Sequence, residues 1–123
     1  MSALTSREEE DVLVVSFTDA KILDEARIQQ IGKEMMEMAA AAETNKKLLV
    51  NFQGVQFMSS AMIGKLVLLN KKSKAATVDL KFCSITPNVL EVFKITRLNK
   101  VFKIVADEEK ALKDFKGGGG WFG

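Results

Sequence analysis

An apolar run at positions 12–17, VLVVSF, limits the folds open to this chain more than any other segment. Successive side chains of a β-strand point to opposite faces, and here apolar side chains fall on both of them. Neither face of such a strand can be left in water. The run therefore predicts a buried strand that is covered on both sides.

Strand and helix signals alternate along the rest of the chain. Four more segments have the character of strands, at residues 4–7, 47–52, 80–85 and 101–105. The predicted helices begin at or next to Asp24, Ser60, Thr86 and Asp107. This alternation favours parallel crossover connections. We expect one small α/β domain, with a mixed, mostly parallel sheet of four to five strands and helices packed against it.

The residue inventory excludes most enzyme chemistries. The chain has no His, no Tyr and only one Cys among its 123 residues. It therefore lacks His-based acid–base catalysis, Ser-His-Asp or Cys-His nucleophile systems and any ordinary zinc site. The single cysteine, Cys83, lies in an apolar strand-like run and is interpreted as part of the core. We expect neither an enzyme nor a bound metal or cofactor.

Basic residues are concentrated in the second half of the chain. Between Lys65 and Lys103, nine basic residues accompany only two acids, Asp79 and Glu91. Nucleic-acid binding is one interpretation, but no exposed aromatic residues alternate with the lysines to stack on bases. Solvated helix faces explain the charge better. No apolar run reaches the ~18 residues of a membrane helix and no signal sequence is present, so we expect a cytoplasmic protein that binds neither nucleic acid nor membrane.

The last seven residues differ in composition from the rest of the chain. Residues 117–123 are GGGGWFG, and consecutive glycines disfavour regular structure. We expect a domain over residues 1–116, followed by a flexible tail that carries Trp121 and Phe122. A remnant of cloning or a disordered native end explains this tail better than a docking peptide.

The junction between the strand at residues 47–52 and the next helix is the candidate functional site. In open α/β sheets, such a strand end followed by a helix start is the usual place for a site. Unpaired amides and the helix dipole there favour anions, including phosphate. Ser59 is a suitable N-cap. The hydroxyl of Ser60, at the first helical position, is then free.

Apolar residues surround these two serines. They are Phe57, Met58, Met62 and Ile63. They cannot all face the core of one short junction, so we expect some of them to be exposed. An exposed apolar patch is typical of a site for a partner protein.

The segment at residues 57–64, FMSSAMIG, resembles the signature of the STAS-domain family, Asp-Ser-Ser/Thr-Gly-Leu-Gly, which follows a strand and opens a helix. Gly64 matches the pattern, whereas Ser59, Ala61 and Met62 stand in place of its Asp, Ser/Thr and first Gly. Further segments resemble the family at residues 22–24, 48–52 and 89–104. The resemblance extends over residues 4–115.

This resemblance implies an anti-sigma factor antagonist, which binds an anti-sigma factor that is also a serine kinase. In that family the kinase holds the ATP, phosphorylation of the antagonist ends the binding, and a phosphatase restores it. By position, the phosphorylated residue is Ser60, with Ser59 as the alternative. The expected partner-binding residues are Phe57, Met58, Ser59, Ala61, Met62, Ile63 and Lys65.

A second function stays open at this point. The chain could be a STAS scaffold, or a module that senses a small molecule or nucleotide, without phosphorylation; the departures at Ser59 and Met62 are the argument for it. An enzyme is disfavoured because the acids, such as Glu8–Glu10 and Asp107–Glu109, fall in solvated turns or helix starts. No nucleophile has a base beside it in the sequence.

Overall fold

Strands and helices alternate along residues 2–117, the part of the chain that this computed structural model describes. The strands are β1 (Leu4–Glu9), β2 (Val12–Phe17), β3 (Lys21–Ile22), β4 (Lys47–Asn51), β5 (Phe57–Met58), β6 (Asp79–Cys83) and β7 (Ile104–Val105). The helices are α1 (Glu25–Ala41), α2 (Ser60–Ala75), α3 (Pro87–Ile95) and α4 (Glu108–Gly117), with one turn of 3-10 helix at Leu98–Lys100. The predicted tail lies outside the described residues except for Gly117, which ends α4.

Five of these strands form one sheet, in the order β1-β2-β4-β6-β7. β1 and β2 pair antiparallel, with Leu4 opposite Phe17, and the other neighbours pair parallel. The hairpin turn consists of Glu10 and Asp11, both with positive φ (51° and 69°). A type I′ turn needs that combination, and its twist suits a two-residue hairpin. The edge strand consequently runs beyond the predicted residues 4–7.

The sheet is covered on both faces, which confirms the prediction made from the apolar run. Leu13 and Val15 of β2 belong to the main core, together with residues of α1, α2 and α3. Val12 and Val14 lie in a second, smaller cluster on the opposite face. There they accompany three residues of α4: Ala111, Leu112 and Phe115. The predicted fold class, a small α/β domain with a mixed five-stranded sheet, is confirmed.

The last strand, β7, is shorter than the strand predicted at residues 101–105. Arg97 adopts a left-handed conformation (φ 63°) and leads into the 3-10 helix. Phe102 then inserts into the core, its ring centroid 4.8 Å from that of Phe82 and 5.4 Å from that of Phe93. Because Phe102 packs in the core, the chain joins the sheet only after it, and β7 pairs with β6 only at residues 104 and 105.

Cys83 ends β6 in the cluster beneath α4. Desolvation by burial raises the pKa of its thiol to about 11. The thiol is therefore protonated at neutral pH and unreactive as a nucleophile, in agreement with its interpretation as core packing. None of the helices within residues 2–117 combines the length and apolar character needed to cross a bilayer.

Candidate functional site

A second, two-stranded sheet positions the start of α2. β3 and β5 pair parallel, with Ile22 opposite Met58. The loop before β5 turns at Gly54, whose positive φ of 88° favours glycine. The backbone N–H of Ser59 then donates to the carbonyl of Ile22 at 3.0 Å. The first turn of α2 is thereby held against the junction between β3 and α1.

The two serines at this helix start have different environments. Ser59 is the N-cap, and its Oγ accepts the N–H of Met62 at 3.4 Å. Ser60 is the first residue of α2 and is exposed. Within residues 2–117 its hydroxyl has no hydrogen-bond partner. The predicted capping role of Ser59 is confirmed, and Ser60 has the free hydroxyl expected of it.

Three of the predicted partner-binding residues are buried. Met62 is 0% exposed, Ile63 5% and Met58 8%, and all three belong to the main core. Their prediction as surface contacts is wrong. Met58 lies on the inner side of β5, and helical periodicity places Met62 and Ile63 on the same buried stripe of α2 as Leu66.

The exposed apolar surface at this end of the molecule comes from other residues. Phe57, one position before Met58 in β5, is 43% exposed, and Leu23, just after β3, is 57% exposed. Along α2, Ala61, Gly64 and Leu68 are also exposed, at spacings of three and four that place them on one side. We call this set, with Ser60, the α2 face: Leu23, Phe57, Ser60, Ala61, Gly64 and Leu68.

Sequence reasoning identified Phe57, Ser60 and Ala61 of this face but missed Leu23, Gly64 and Leu68. The spacing of positions 61, 64 and 68 could have indicated this face, because it places the three residues on the side of α2 that its buried stripe leaves exposed. Leu23 gave no local signal. Its place beside α2 depends on the pairing of β3 with β5, which joins segments that are distant in sequence.

Lysines flank the α2 face. The Nζ atom of Lys21 lies 5.8 Å from the ring centroid of Phe57. Lys65, predicted to bind the partner, is half-buried, and its Nζ donates to Oε1 of Gln29 in α1 at 3.2 Å. The alkyl chain of Lys65 crosses Gly32 so closely that a Cβ there would lie 2.8 Å from its Cδ. Lys65 therefore joins α1 to α2, and its charge remains near the α2 face.

A second group of polar residues lies where β4 and β6 end. The cavity there has a volume of about 390 Å³ and is lined by Asn51, Gln53, Ser84, Asp107, Glu108 and Glu109. Asn51 is partnered on both sides of its amide: Nδ2 donates to Glu108 at 3.0 Å, and Oδ1 accepts the N–H of Gln53 at 2.8 Å. In residues 2–117, no group of His, Cys, Asp and Glu is arranged to hold a metal ion. We assign this group to linking α4 to the sheet.

A five-stranded sheet, a serine at the start of α2 and exposed apolar residues beside it are the arrangement that the sequence resemblance implies. The family model of the STAS domain matches residues 3–111. The chain belongs to the STAS-domain family. This match confirms the resemblance found in the sequence.

Individual relatives agree with the family. BtrV of Bordetella bronchiseptica, assigned as an anti-sigma factor antagonist, is 25% identical over 92 residues, which cover 72% of this chain and 79% of BtrV. The STAS-domain anti-sigma factor antagonist of Planctomyces limnophilus has a TM-score of 0.76 at 26% identity and covers 92% of this chain, 97% of its own. SpoIIAA of Bacillus, solved in its phosphorylated form, has the same fold, with a TM-score of 0.67 at 17% identity over 92% of this chain and 99% of SpoIIAA.

Proposed function

We propose that this protein is a cytoplasmic anti-sigma factor antagonist that binds its anti-sigma factor through the α2 face, and that phosphorylation of Ser60 ends the binding. The observation that carries the proposal is the position of Ser60. Its hydroxyl is exposed, has no partner within the described residues, and stands beside apolar side chains that are also exposed. The partner is itself the serine kinase and supplies the ATP, and a phosphatase reverses the modification.

The site favours a switch that changes affinity more than shape. A phosphate adds about −1.5 to −2 charges. At the first turn of α2, the backbone amides and the helix dipole stabilise that charge, so the free protein keeps its fold. In the complex, the phosphate would be buried in an apolar interface. The cost of desolvating its charge weakens binding.

The relatives support the proposal by analogy. SpoIIAA exists in a phosphorylated form, and BtrV and the Planctomyces limnophilus protein are assigned to the class of anti-sigma factor antagonists. The sites differ at Ser59, which stands where the family has an acid. Ser59 is less exposed than Ser60 and caps the helix, so that a kinase would have to break this cap to modify it. We therefore favour Ser60 as the phosphorylated residue.

Mass spectrometry of the intact protein tests the proposal. The protein is incubated with ATP and each anti-sigma serine kinase of its source genome, in parallel with the Ser60→Ala and Ser59→Ala variants. We expect one added phosphate on the wild type and on Ser59→Ala, and none on Ser60→Ala. Phosphate that disappears only in Ser59→Ala would move the switch to the capping residue. No phosphate with any kinase, together with retained binding, would favour the scaffold or sensing function instead.

A further inference from the structure

A small, partly enclosed cavity lies at the other end of α2. Its volume is about 130 Å³. Its lining comes from the last turns of α2, from β6 and the residue before it, and from the segment before β7: Asn70, Ser73, Lys74, Val78, Leu80, Val101 and Lys103. Ser73 lies 13 residues after Ser60 along the helix, a distance of roughly 20 Å at 1.5 Å per residue. The cavity is therefore separate from the α2 face.

Ser73 gives this cavity an unusual feature. The residue is 1% exposed, and its hydroxyl oxygen is buried without a hydrogen-bond partner in the described structure. Its backbone carbonyl is occupied, because it accepts the N–H of Val78 at 2.7 Å. A buried hydroxyl without a partner is unfavourable. A ligand in the cavity could supply the missing partner.

The charges at the cavity favour an anion. Two of the seven lining residues are lysines and none is an acid. Lys103 Nζ contacts Asp79 at 3.0 Å, and Lys81 contacts both Asp79 at 3.3 Å and Asp114 at 3.5 Å, so these four charges balance. Lys74 has no ion pair within the described residues and leaves the cavity with an excess of positive charge. Lys74 is exposed. The excess of basic residues between positions 65 and 103 thus includes two cations at one cavity.

The remaining lining defines the size and shape of the ligand. Val78, Leu80 and Val101 form an apolar wall, and Val101 is 48% exposed. A cavity of ~150 Å³ in another protein holds one benzene ring, so this one accommodates a body of about four to six carbon atoms. We propose that it binds a small organic carboxylate, whose compact apolar body packs on the valines and leucine. The carboxylate accepts hydrogen bonds from Ser73 and the lysine ammonium groups.

Isovalerate is a suitable probe, and its neutral amide, isovaleramide, is the matched control. The assay is a titration of the ¹⁵N-labelled full chain followed by NMR. We expect saturable shifts at the amides of Ser73, Lys74 and Val101, with a dissociation constant in the millimolar range because so small a ligand makes few contacts. Isovaleramide should bind about fivefold to tenfold more weakly, since it lacks the charge.

Two variants test the assigned contacts. Ser73→Ala should weaken isovalerate binding about fivefold without lowering the melting temperature, because the deleted hydroxyl has no partner in the protein. Lys74→Gln should weaken it by a similar factor. Lys71→Gln, the same charge change on an exposed residue of α2 outside the cavity, should not. Shifts that fail to saturate, equal binding of the amide, or equal losses for Lys71→Gln and Lys74→Gln would each overturn the proposal.

Discussion

The backbone N–H of Ser59 donates to the carbonyl oxygen of Ile22 at 3.0 Å. This single bond continues the β3–β5 pairing to the first residue before α2 and brings Leu23 to the side of the helix start. Because only backbone atoms take part, the side chains at positions 23 and 60 remain available to a partner. Backbone atoms thus hold the start of α2 in place, and the side chains of the α2 face are left for a partner to recognise.

Replacing each of the two serines by alanine should show that the Ser59 cap stabilises the protein and that the free hydroxyl of Ser60 does not. Ser59→Ala removes the side-chain bond to Met62 and should lower the free energy of unfolding by about 0.5–1 kcal/mol. Ser60→Ala removes a hydroxyl without a partner and should change stability by less than about 0.5 kcal/mol. Urea denaturation measures both. Equal losses for the two variants would mean that Ser60 also stabilises the helix start.

Ser60→Asp should imitate the charge of the phosphate. An acid in the first turn of a helix is favourable, so we expect the melting temperature to stay at or slightly above that of the wild type. Binding of the anti-sigma factor should fall about a hundredfold, equivalent to about 2.7 kcal/mol. Calorimetric titration with the purified partner gives the affinity. Unchanged affinity would place the interface elsewhere on the domain.

Met62 can be tested as a core residue. Met62→Ala should cost about 2–5 kcal/mol of stability, since it leaves a cavity between α2 and the sheet. Met62→Lys should unfold the domain, because the ammonium group would be buried without a partner. Ala61→Lys, one position earlier and exposed, is the control and should stay within about 0.5 kcal/mol of the wild type. A folded Met62→Lys variant in circular dichroism would contradict the assigned burial.

Phe57 should contribute to binding and little to folding. Phe57→Ala is expected to weaken the complex with the anti-sigma factor by about 1–3 kcal/mol, the usual range for an aromatic contact at an interface. Ile95→Ala is the matched control, because Ile95 is even more exposed, at 74%, but lies at the end of α3 and outside the α2 face. Equal effects of the two substitutions on affinity would argue against Phe57 as a specific contact.

Glu34 should make stability depend on pH in the acid range. Its partial burial raises the pKa of the carboxyl. Hydrogen bonds from the N–H groups of Ala3 and Leu4 and from the Gln30 amide, together with the charge of Arg27, outweigh that effect, so the pKa lies below its ordinary value. The stabilisation is therefore complete above the unfolded pKa of about 4.3 and is lost as the pH falls through the lower folded value.

Denaturation of wild type and Glu34→Gln over a range of pH measures this contribution. We expect Glu34→Gln to be about 1 kcal/mol less stable at pH 7, with the difference shrinking below about pH 4. Glu37→Gln removes the same charge from an exposed position of α1 and should show no such trend. A constant difference at every pH would mean that the N-terminal strand does not depend on the ionised carboxylate.

The parts of the structure that sequence patterns predict correctly are those decided by local chemistry. Two-sided burial of VLVVSF follows from side-chain alternation, and the cap at Ser59 follows from one hydroxyl near one unpaired amide. The errors concern residues whose environment depends on distant segments. Met58 and Phe57 are both predicted to contact a partner, but Met58 is buried, because the pairing with β3 determines which side of β5 faces inward. Phe102 leaves its predicted strand because its ring packs against two others, Phe82 of β6 and Phe93 of α3.

The placement of α4 has a consequence for folding. All five strands of the main sheet precede this helix in the chain, and within residues 2–117 it is the element that covers Val12, Val14 and Leu49. The sheet and the helices on its other face can therefore assemble before α4 packs, which would leave these apolar side chains in water. We expect such an intermediate to be prone to aggregation until Ala111, Leu112 and Phe115 cover them.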